Sequence, residues 1–199
     1  MRIVAGSLRG RRLAAPEGLD VRPTGERARE AVFNILEHGN LAADGGPALR
    51  DARVLDAFAG TGAMGLEALS RGAASATFLE SDRRALAVIR ANLAACGVSG
   101  RGVVMPADLR MPPRAVAPCD VAFLDPPYGK ALAGPALAGL AAGGWLEDGA
   151  LVCLELGPED ELPEVPGFAL LDQRRYGKAH FAFLRWRPAG PVTSAENLD

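Results

Sequence analysis

Val121-Ala122-Phe123-Leu124-Asp125-Pro126-Pro127-Tyr128 decides the fold. Four apolar residues closed by an acid read as a central strand ending at the carboxyl edge of a sheet. In open α/β sheets, ligands sit at that edge. The two prolines fix two φ angles, remove two backbone donors and push the preceding residue towards extended geometry. The product is a stiff turn that presents a carboxylate, carbonyl oxygens and an aromatic ring. The Asp125 side chain and the Pro126 carbonyl can each accept from an NH₂ group, and Tyr128 can lie on the ring that carries it. Taken alone, the same four residues also read as a plain turn.

The surrounding chain alternates. Arg53 to Phe58 is strand-like, and Gly60-Thr61-Gly62-Ala63-Met64-Gly65 turns into a helix ended by Gly72-Ala73. Ala76 to Leu79 is a second strand with Glu80 at its end. Asp82 to Cys96 is a helix with Leu86, Ile89, Leu93 and Cys96 on one stripe. Gly102 to Met105, Asp120 to Leu124 and Ala150 to Glu155 are further strands, and Leu132 to Ala142 is an Ala/Leu-rich helix. This order predicts a mainly parallel α/β sheet. Phe168 to Tyr176 and Ala179 to Arg187, joined by Gly177-Lys178, predict a closing antiparallel hairpin, for seven strands in all.

Before this unit, Arg2 to Ala5 and Arg11 to Ala14 flank Gly6-Ser7-Leu8-Arg9-Gly10 and predict a small β-hairpin. Arg22-Pro23-Thr24 gives an extended step and a candidate N-cap. Ala28, Val32, Ile35 and Leu36 then mark a helix over 25–38. Residues 41–51 read as a linker. The expected organisation is a hairpin-and-helix extension at 1–40, a main α/β domain at 41–188 and a frayed tail at 189–199.

The 199 residues carry a formal net charge of -2, which argues against a uniformly basic surface. The distribution differs: Arg2, Arg9, Arg11 and Arg12 fall in an acid-free run, and Arg22, Arg27 and Arg29 follow. A local cluster of this kind can grip phosphates. No apolar run is long enough for a membrane span, and no secretory leader is expected. Three scattered cysteines without a CxxC pair, and two histidines, predict reduced thiols, a cytoplasmic protein and no metal site.

Gly60-x-Gly62-x-x-Gly65 after a strand matches the dinucleotide fingerprint, and Glu80 stands where the ribose acid of a dehydrogenase would. An NAD-binding fold is therefore a rival. Asp56 favours S-adenosylmethionine instead, because a carboxylate there would repel a pyrophosphate but attract the ammonium of a methionine moiety. Glu80 can accept both ribose hydroxyls. Asp108, after the third strand, can accept from the adenine amine or cap a following helix. The cofactor-binding set is Asp56, Phe58, Gly60, Gly62, Glu80, Ser81, Asp108 and Leu109, and Asp125 would bring a substrate amine beside the cofactor.

Asp56-Ala57-Phe58-Ala59-Gly60-Thr61-Gly62, Glu80 and Asp125-Pro126-Pro127-Tyr128 resemble the Rossmann-like class I amino-methyltransferases. Arg2-Ile3-Val4-Ala5-Gly6, Gly10-Arg11-Arg12-Leu13, Arg22-Pro23-Thr24 and Arg27 to Leu36 narrow the resemblance to the RsmD family, bacterial methyltransferases of guanine N2 in 16S ribosomal RNA. It covers the chain from Met1 to about Arg187. Lys178-Ala179-His180 departs from it, where the family often has a Thr. The resemblance implies direct methyl transfer, with Asp125, Pro126 and Tyr128 at the reacting amine and Arg2, Arg9, Arg11, Arg12, Arg22, Arg27 and Arg29 on the RNA backbone. A monomer is expected, acting on 16S rRNA alone or in an assembling subunit. The alternatives are another exocyclic amine, adenine N6 or cytosine N4, and a non-catalytic RNA-binding protein. Deleting residues up to about Pro16 is expected to abolish methylation while sparing the cofactor site.

Overall fold

The computed structural model describes residues 1–15, 25–39, 41, 46–177 and 179–188. The Arg22-Pro23-Thr24 step with its N-cap, linker residues 42–45, Lys178 and the tail from residue 189 lie outside the described residues.

The elements follow the expected alternation. They are α1 (Glu26–His38), β1 (Arg53–Ala57), α2 (Ala63–Ser70), β2 (Ser75–Glu80), α3 (Arg83–Cys96) and β3 (Gly102–Pro106). Then come β4 (Cys119–Leu124), α4 (Ala133–Ala142), β5 (Leu146–Leu156), β6 (Phe168–Tyr176) and β7 (Ala179–Trp186). They build one seven-stranded sheet in the order β3-β2-β1-β4-β5-β7-β6. Strands β1 to β5 pair in parallel, and β7 runs antiparallel to both β5 and β6. β7 alone therefore opposes the rest. The chain steps outward from β1 to β3, then returns to lay β4 beside β1. That reversal is the topological switch point where doubly wound sheets bind ligands.

Both faces of the sheet are covered, which is why its central strands are apolar almost throughout. Val54, Phe78 and Phe123 pack with α1, α2 and α3, while Leu55, Leu79 and Leu124 pack with α4. Asp82 caps α3 by accepting from the Arg84 and Ala85 amides at 2.7 and 3.1 Å. Along α3, Leu86, Ile89, Leu93 and Cys96 are buried as their spacing predicts.

The N-terminal hairpin forms, in short. Its arms meet at the antiparallel bridge of Arg2 with Arg12, backed by the Ile3 amide on the Arg11 carbonyl and the Leu13 amide on the Met1 carbonyl, each at 3.0 Å, around the turns of residues 6–10. The pairing extends no further because the next amides turn to the helices. The Val4 and Ala5 amides donate to Glu67, and the Leu8 amide donates to the Ser70 hydroxyl. The Ala14 amide donates to Asn92 at 2.9 Å, and Asn92 Nδ2 in turn donates to the Thr61 carbonyl at 3.0 Å. Ile3 and Leu13 are buried in the same core as Phe33 and Phe123, whose rings lie 5.2 Å apart. Deleting this segment would open that core and remove the Ala14 partners of Asn92. Side-chain replacement, rather than deletion, is the clean test of its arginines.

Candidate active site

Leu79, Ala57, Leu124 and Leu154 form one row across β2, β1, β4 and β5. One residue further along stand Glu80, Phe58, Asp125 and Glu155, and Asp56 stands one residue before the row. The register thus gathers Asp56, Glu80 and Asp125 at the carboxyl edge, around the switch point. Asp108 follows Pro106, the partner of Glu80, by two residues.

The glycine loop is built against this edge. Phe58, Gly60 and Gly62 all have positive φ, at 58°, 55° and 77°. The Ala59 amide donates to the Leu79 carbonyl at 3.1 Å, which anchors the loop to β2. Gly65 has no room for a side chain: a Cβ there would lie 2.4 Å from Phe78 Cε1. The third glycine therefore serves helix–strand packing. No side chain within α2 or at its N-cap closes the helix. Asp56 does so from β1, with Oδ2 accepting the Gly65 amide at 2.8 Å. Burial pushes the Asp56 carboxyl up to about 7, the nearby Glu80 adds to this, and the Gly65 amide opposes it.

Glu80 is more occupied than a ribose acceptor alone requires. Its Oε2 accepts the Gly60 amide at 2.9 Å, and its Oε1 accepts the Ser81 and Asp82 amides at 2.7 and 2.9 Å. It fastens the glycine loop to the start of α3. Asp108 caps no helix, since residues 107–118 are irregular. It turns back on Arg110 instead, whose side chain and amide hold its carboxyl at about 2. Leu109 is buried beside Leu79 and Ala57, Phe58 packs against the same cluster, and Ser81 is exposed.

Asp125 is half-buried, Pro126 is buried, and Pro127 and Tyr128 are exposed. Tyr128 donates its hydroxyl to Glu155 at 2.5 Å. Glu155 is a residue that sequence reasoning missed. The signal was present, because it ends an apolar strand run just as Asp125 does.

Arg2, Arg9, Arg11, Arg12 and Arg27 are exposed. Arg29 is not: it is 1% exposed, and its guanidinium faces Glu67 at 3.6 Å. The expectation that Arg29 grips RNA is corrected, since it lies on the same helical stripe as Val32, Phe33 and Leu36. Arg22 lies outside the described residues. The turn carrying Arg9 packs at Ser70, the end of α2 remote from the glycine loop. It sits about 12 Å of helix away from that loop.

Among the described residues, no group of three or more His, Cys, Asp and Glu side chains could hold a metal ion, and no helix is long and apolar enough to cross a membrane. The family described as conserved hypothetical protein 95 matches residues 1–185. The chain is 39% identical over 166 residues to ribosomal RNA small subunit methyltransferase D of Escherichia coli strain K12, covering 83% of this chain and 79% of that one. It is 34% identical over 181 residues to the Haemophilus influenzae protein of the same name, covering 89% of each. Among solved structures, the putative methyltransferase yhhF from Escherichia coli superposes with a TM-score of 0.78 at 36% identity, covering 94% of this chain and 98% of that one.

Proposed function

The chain belongs to the RsmD family, described as conserved hypothetical protein 95, and on that premise we propose that it transfers a methyl group from S-adenosylmethionine to the exocyclic N2 of a guanine in 16S ribosomal RNA. The observation that carries the reading is the pairing of Ala57 with Leu124 at the switch point. It sets the glycine loop and Asp125-Pro126-Pro127-Tyr128 on neighbouring strand ends, so a donor in one lies beside an amine in the other.

The residues present suit S-adenosylmethionine better than a dinucleotide. A dinucleotide rests its pyrophosphate on the amides opening the first helix. Here the Gly65 amide is already taken by the Asp56 carboxylate, which would also repel that phosphate. The same carboxylate attracts a methionine ammonium. Asp56 and the glycine loop would hold the methionine moiety, and Glu80, Ser81, Asp108 and Leu109 with Phe58 would hold the nucleoside. When bound, S-adenosylmethionine supplies a methyl already activated on a sulfonium. Asp125 and the Pro126 carbonyl would accept hydrogen bonds from the two hydrogens of the target amine and hold them out of the ring plane, which returns electron density to nitrogen. The new N–C bond would replace the S–CH₃ bond, and the surplus amine proton would pass to Asp125 or to water. Such positioning can supply much of roughly 7–11 kcal/mol. Tyr128 stacks on the unstacked base, a contact worth about 1–3 kcal/mol.

Residues 1–40 serve as the RNA-gripping extension and 41–188 as the catalytic unit of a cytoplasmic monomer. Their shared core means that this division is one of function. Replacing Arg9, Arg11 and Arg12 by Ala should weaken RNA binding and reduce the log–log salt slope by about 0.7 per lost single-strand phosphate contact. Salt titrations giving the same slope for both proteins would remove these arginines from the RNA interface.

Asp56 supplies a pH test. Its folded carboxyl stands at about 7, above the ordinary 3.8. A bound ammonium favours the ionised form, so cofactor affinity should rise with pH through about 7, with proton release on binding below it. In Asp56→Asn the calorimetric affinity should be weak and flat between about pH 6 and pH 8. A pH-independent wild-type affinity would separate Asp56 from the ammonium.

The function itself is tested by methyl transfer from labelled S-adenosylmethionine to 16S rRNA, followed by identification of the modified nucleoside. N2-methylguanosine is expected. Label on adenine N6 or cytosine N4 would select those alternatives, and bound RNA without transfer would select the non-catalytic one.

A further inference from the structure

We propose that Glu155, at the end of β5, is a positioning residue for methyl transfer. Its buried carboxylate fixes the Tyr128 hydroxyl, and so anchors the far end of the ring on which the target base stacks. The inference rests on the methyltransferase reading above and extends its site by one strand.

Tyr128 is an unusual stacking ring because it is held at both ends. Pro126 and Pro127 stiffen the backbone that carries it. At the far end its hydroxyl donates to Glu155 Oε1 at 2.5 Å, while the ring as a whole keeps 36% exposure. Glu155 itself is 5% exposed, and its strand continues into a tight corner. There Gly157 lies against the ring, and a Cβ on it would come within 2.8 Å of Tyr128 Cγ. Asp160 closes the arrangement by accepting the Gly129 amide at 3.1 Å and the Gly157 amide at 2.9 Å. It thereby straps the loop after β4 to the loop after β5. Two contacts thus converge on one partly exposed ring, and Asp160 ties together the loops on either side of it.

A carboxylate kept from water needs donors to offset its desolvation. A structural glutamate could take them from backbone amides, as Glu67 and Glu80 do in this protein. Among its partners Glu155 has the aromatic residue of the catalytic turn. The hydroxyl oxygen lies on the ring's own axis, so the bond fixes the direction of that axis against swinging about Cα–Cβ, while Gly157 packed at Cγ limits rotation about it. Both remove freedom that stacking on a base would otherwise have to quench. Glu155 stands beside Asp125 in the same row, so a base stacked on the fixed ring presents its amine edge towards Asp125.

The test is single-turnover methyl transfer to 16S rRNA at saturating S-adenosylmethionine and RNA, with cofactor affinity and thermal midpoint measured on each variant. Glu155→Ala and Tyr128→Phe should each slow transfer by about 10- to 100-fold, the scale of a small misplacement of reacting groups. Both should leave S-adenosylmethionine affinity unchanged. The double variant should be no slower than the slower single one, because each removes the same contact. Glu155→Gln, which keeps an acceptor for the hydroxyl, should restore most of the rate. If Glu155→Ala does not fold, Tyr128→Phe against Glu155→Gln decides alone. Wild-type transfer by Tyr128→Phe, additive losses in the double variant, or a loss confined to cofactor affinity would each overturn the proposal. Absence of transfer by the wild-type protein would instead overturn the methyltransferase reading and is seen before any variant is made.

Discussion

Glu67→Ala should lower folding stability by about 3–5 kcal/mol, the range for breaking a buried ion pair from one side. Glu67 is fully buried in the middle of α2. Its two oxygens accept the Val4 amide at 2.8 Å, the Ala5 amide at 2.9 Å and Arg71 Nε at 2.9 Å, and Arg29 lies 3.6 Å away. Arg29 and Arg71 are themselves buried. Desolvation lowers the Arg29 pKa, and Glu67 is the strongest opposing influence. Arg71 has a second acid in Glu37 at 3.0 Å and lies over the Phe33 ring at 5.0 Å. Alanine would leave Arg29 with the Arg2 carbonyl, and would strand two backbone amides as well. The loss would not stay local, because these bonds hold the N-terminal segment, α1 and α2 together. Urea denaturation measures it. A change below about 1 kcal/mol would place Glu67 among weakly coupled groups whose partners find water.

This buried network explains both a success and a failure of sequence reasoning. Of the apolar positions expected on α1 from spacing, Ala28, Val32 and Leu36 are buried and Ile35 is half-buried, while the buried Phe33 is not among them. Arg29 occupies that same stripe, yet its charge directs the reader to solvent. The compensating signal lay 38 positions away. Ala63 to Ser70 is apolar almost all round except for Glu67, and a helix of that kind is buried, so its acid requires a buried cation. Two misfit charges on two buried faces predict each other, but only once the faces are known to meet. Long-range contact is also what hid Asn92 and Glu155. Strand ends and their acids can be read from runs of apolar residues, which is why the positions of Asp56, Glu80 and Asp125 at one edge of the sheet were legible, whereas the turn of Asp108 onto Arg110 was not. Which acid is already spoken for cannot be read that way. The Asp56 bond to Gly65 and the Glu80 bond to Gly60 depend on how tightly the loop folds back. Their consequence is chemical: the glycine loop reaches a ligand with its carboxylates engaged, and the Gly65 amide that a pyrophosphate would need is not available.

Asp125→Asn should slow methyl transfer by roughly 10²–10³-fold, the scale for removing one transition-state partner, while leaving both ligands bound. The substitution keeps size and one acceptor oxygen. The turn should survive it, because Pro126 and Pro127 fix the backbone and the Asp125 amide still faces the Ala57 carboxyl-edge carbonyl at 3.5 Å. What changes is charge. If the target is an exocyclic amine, as proposed, positive charge develops on its nitrogen as the methyl arrives, and a carboxylate stabilises that charge more than a neutral amide does. The asparagine NH₂ group is also a donor, so a wrong rotamer would oppose the amine hydrogens instead of accepting them. Cofactor affinity should change little, since Asp56 and Glu80, not Asp125, line the glycine loop. Tyr128→Ala separates from this by weakening the RNA step, through loss of a stacking contact of about 1–3 kcal/mol. Single-turnover transfer at saturating cofactor, with both bindings measured apart, distinguishes the two. Transfer at the wild-type rate by Asp125→Asn would reduce Asp125 to a turn residue, and the amine would then have to be aligned by the Pro126 carbonyl and the Tyr128 ring alone.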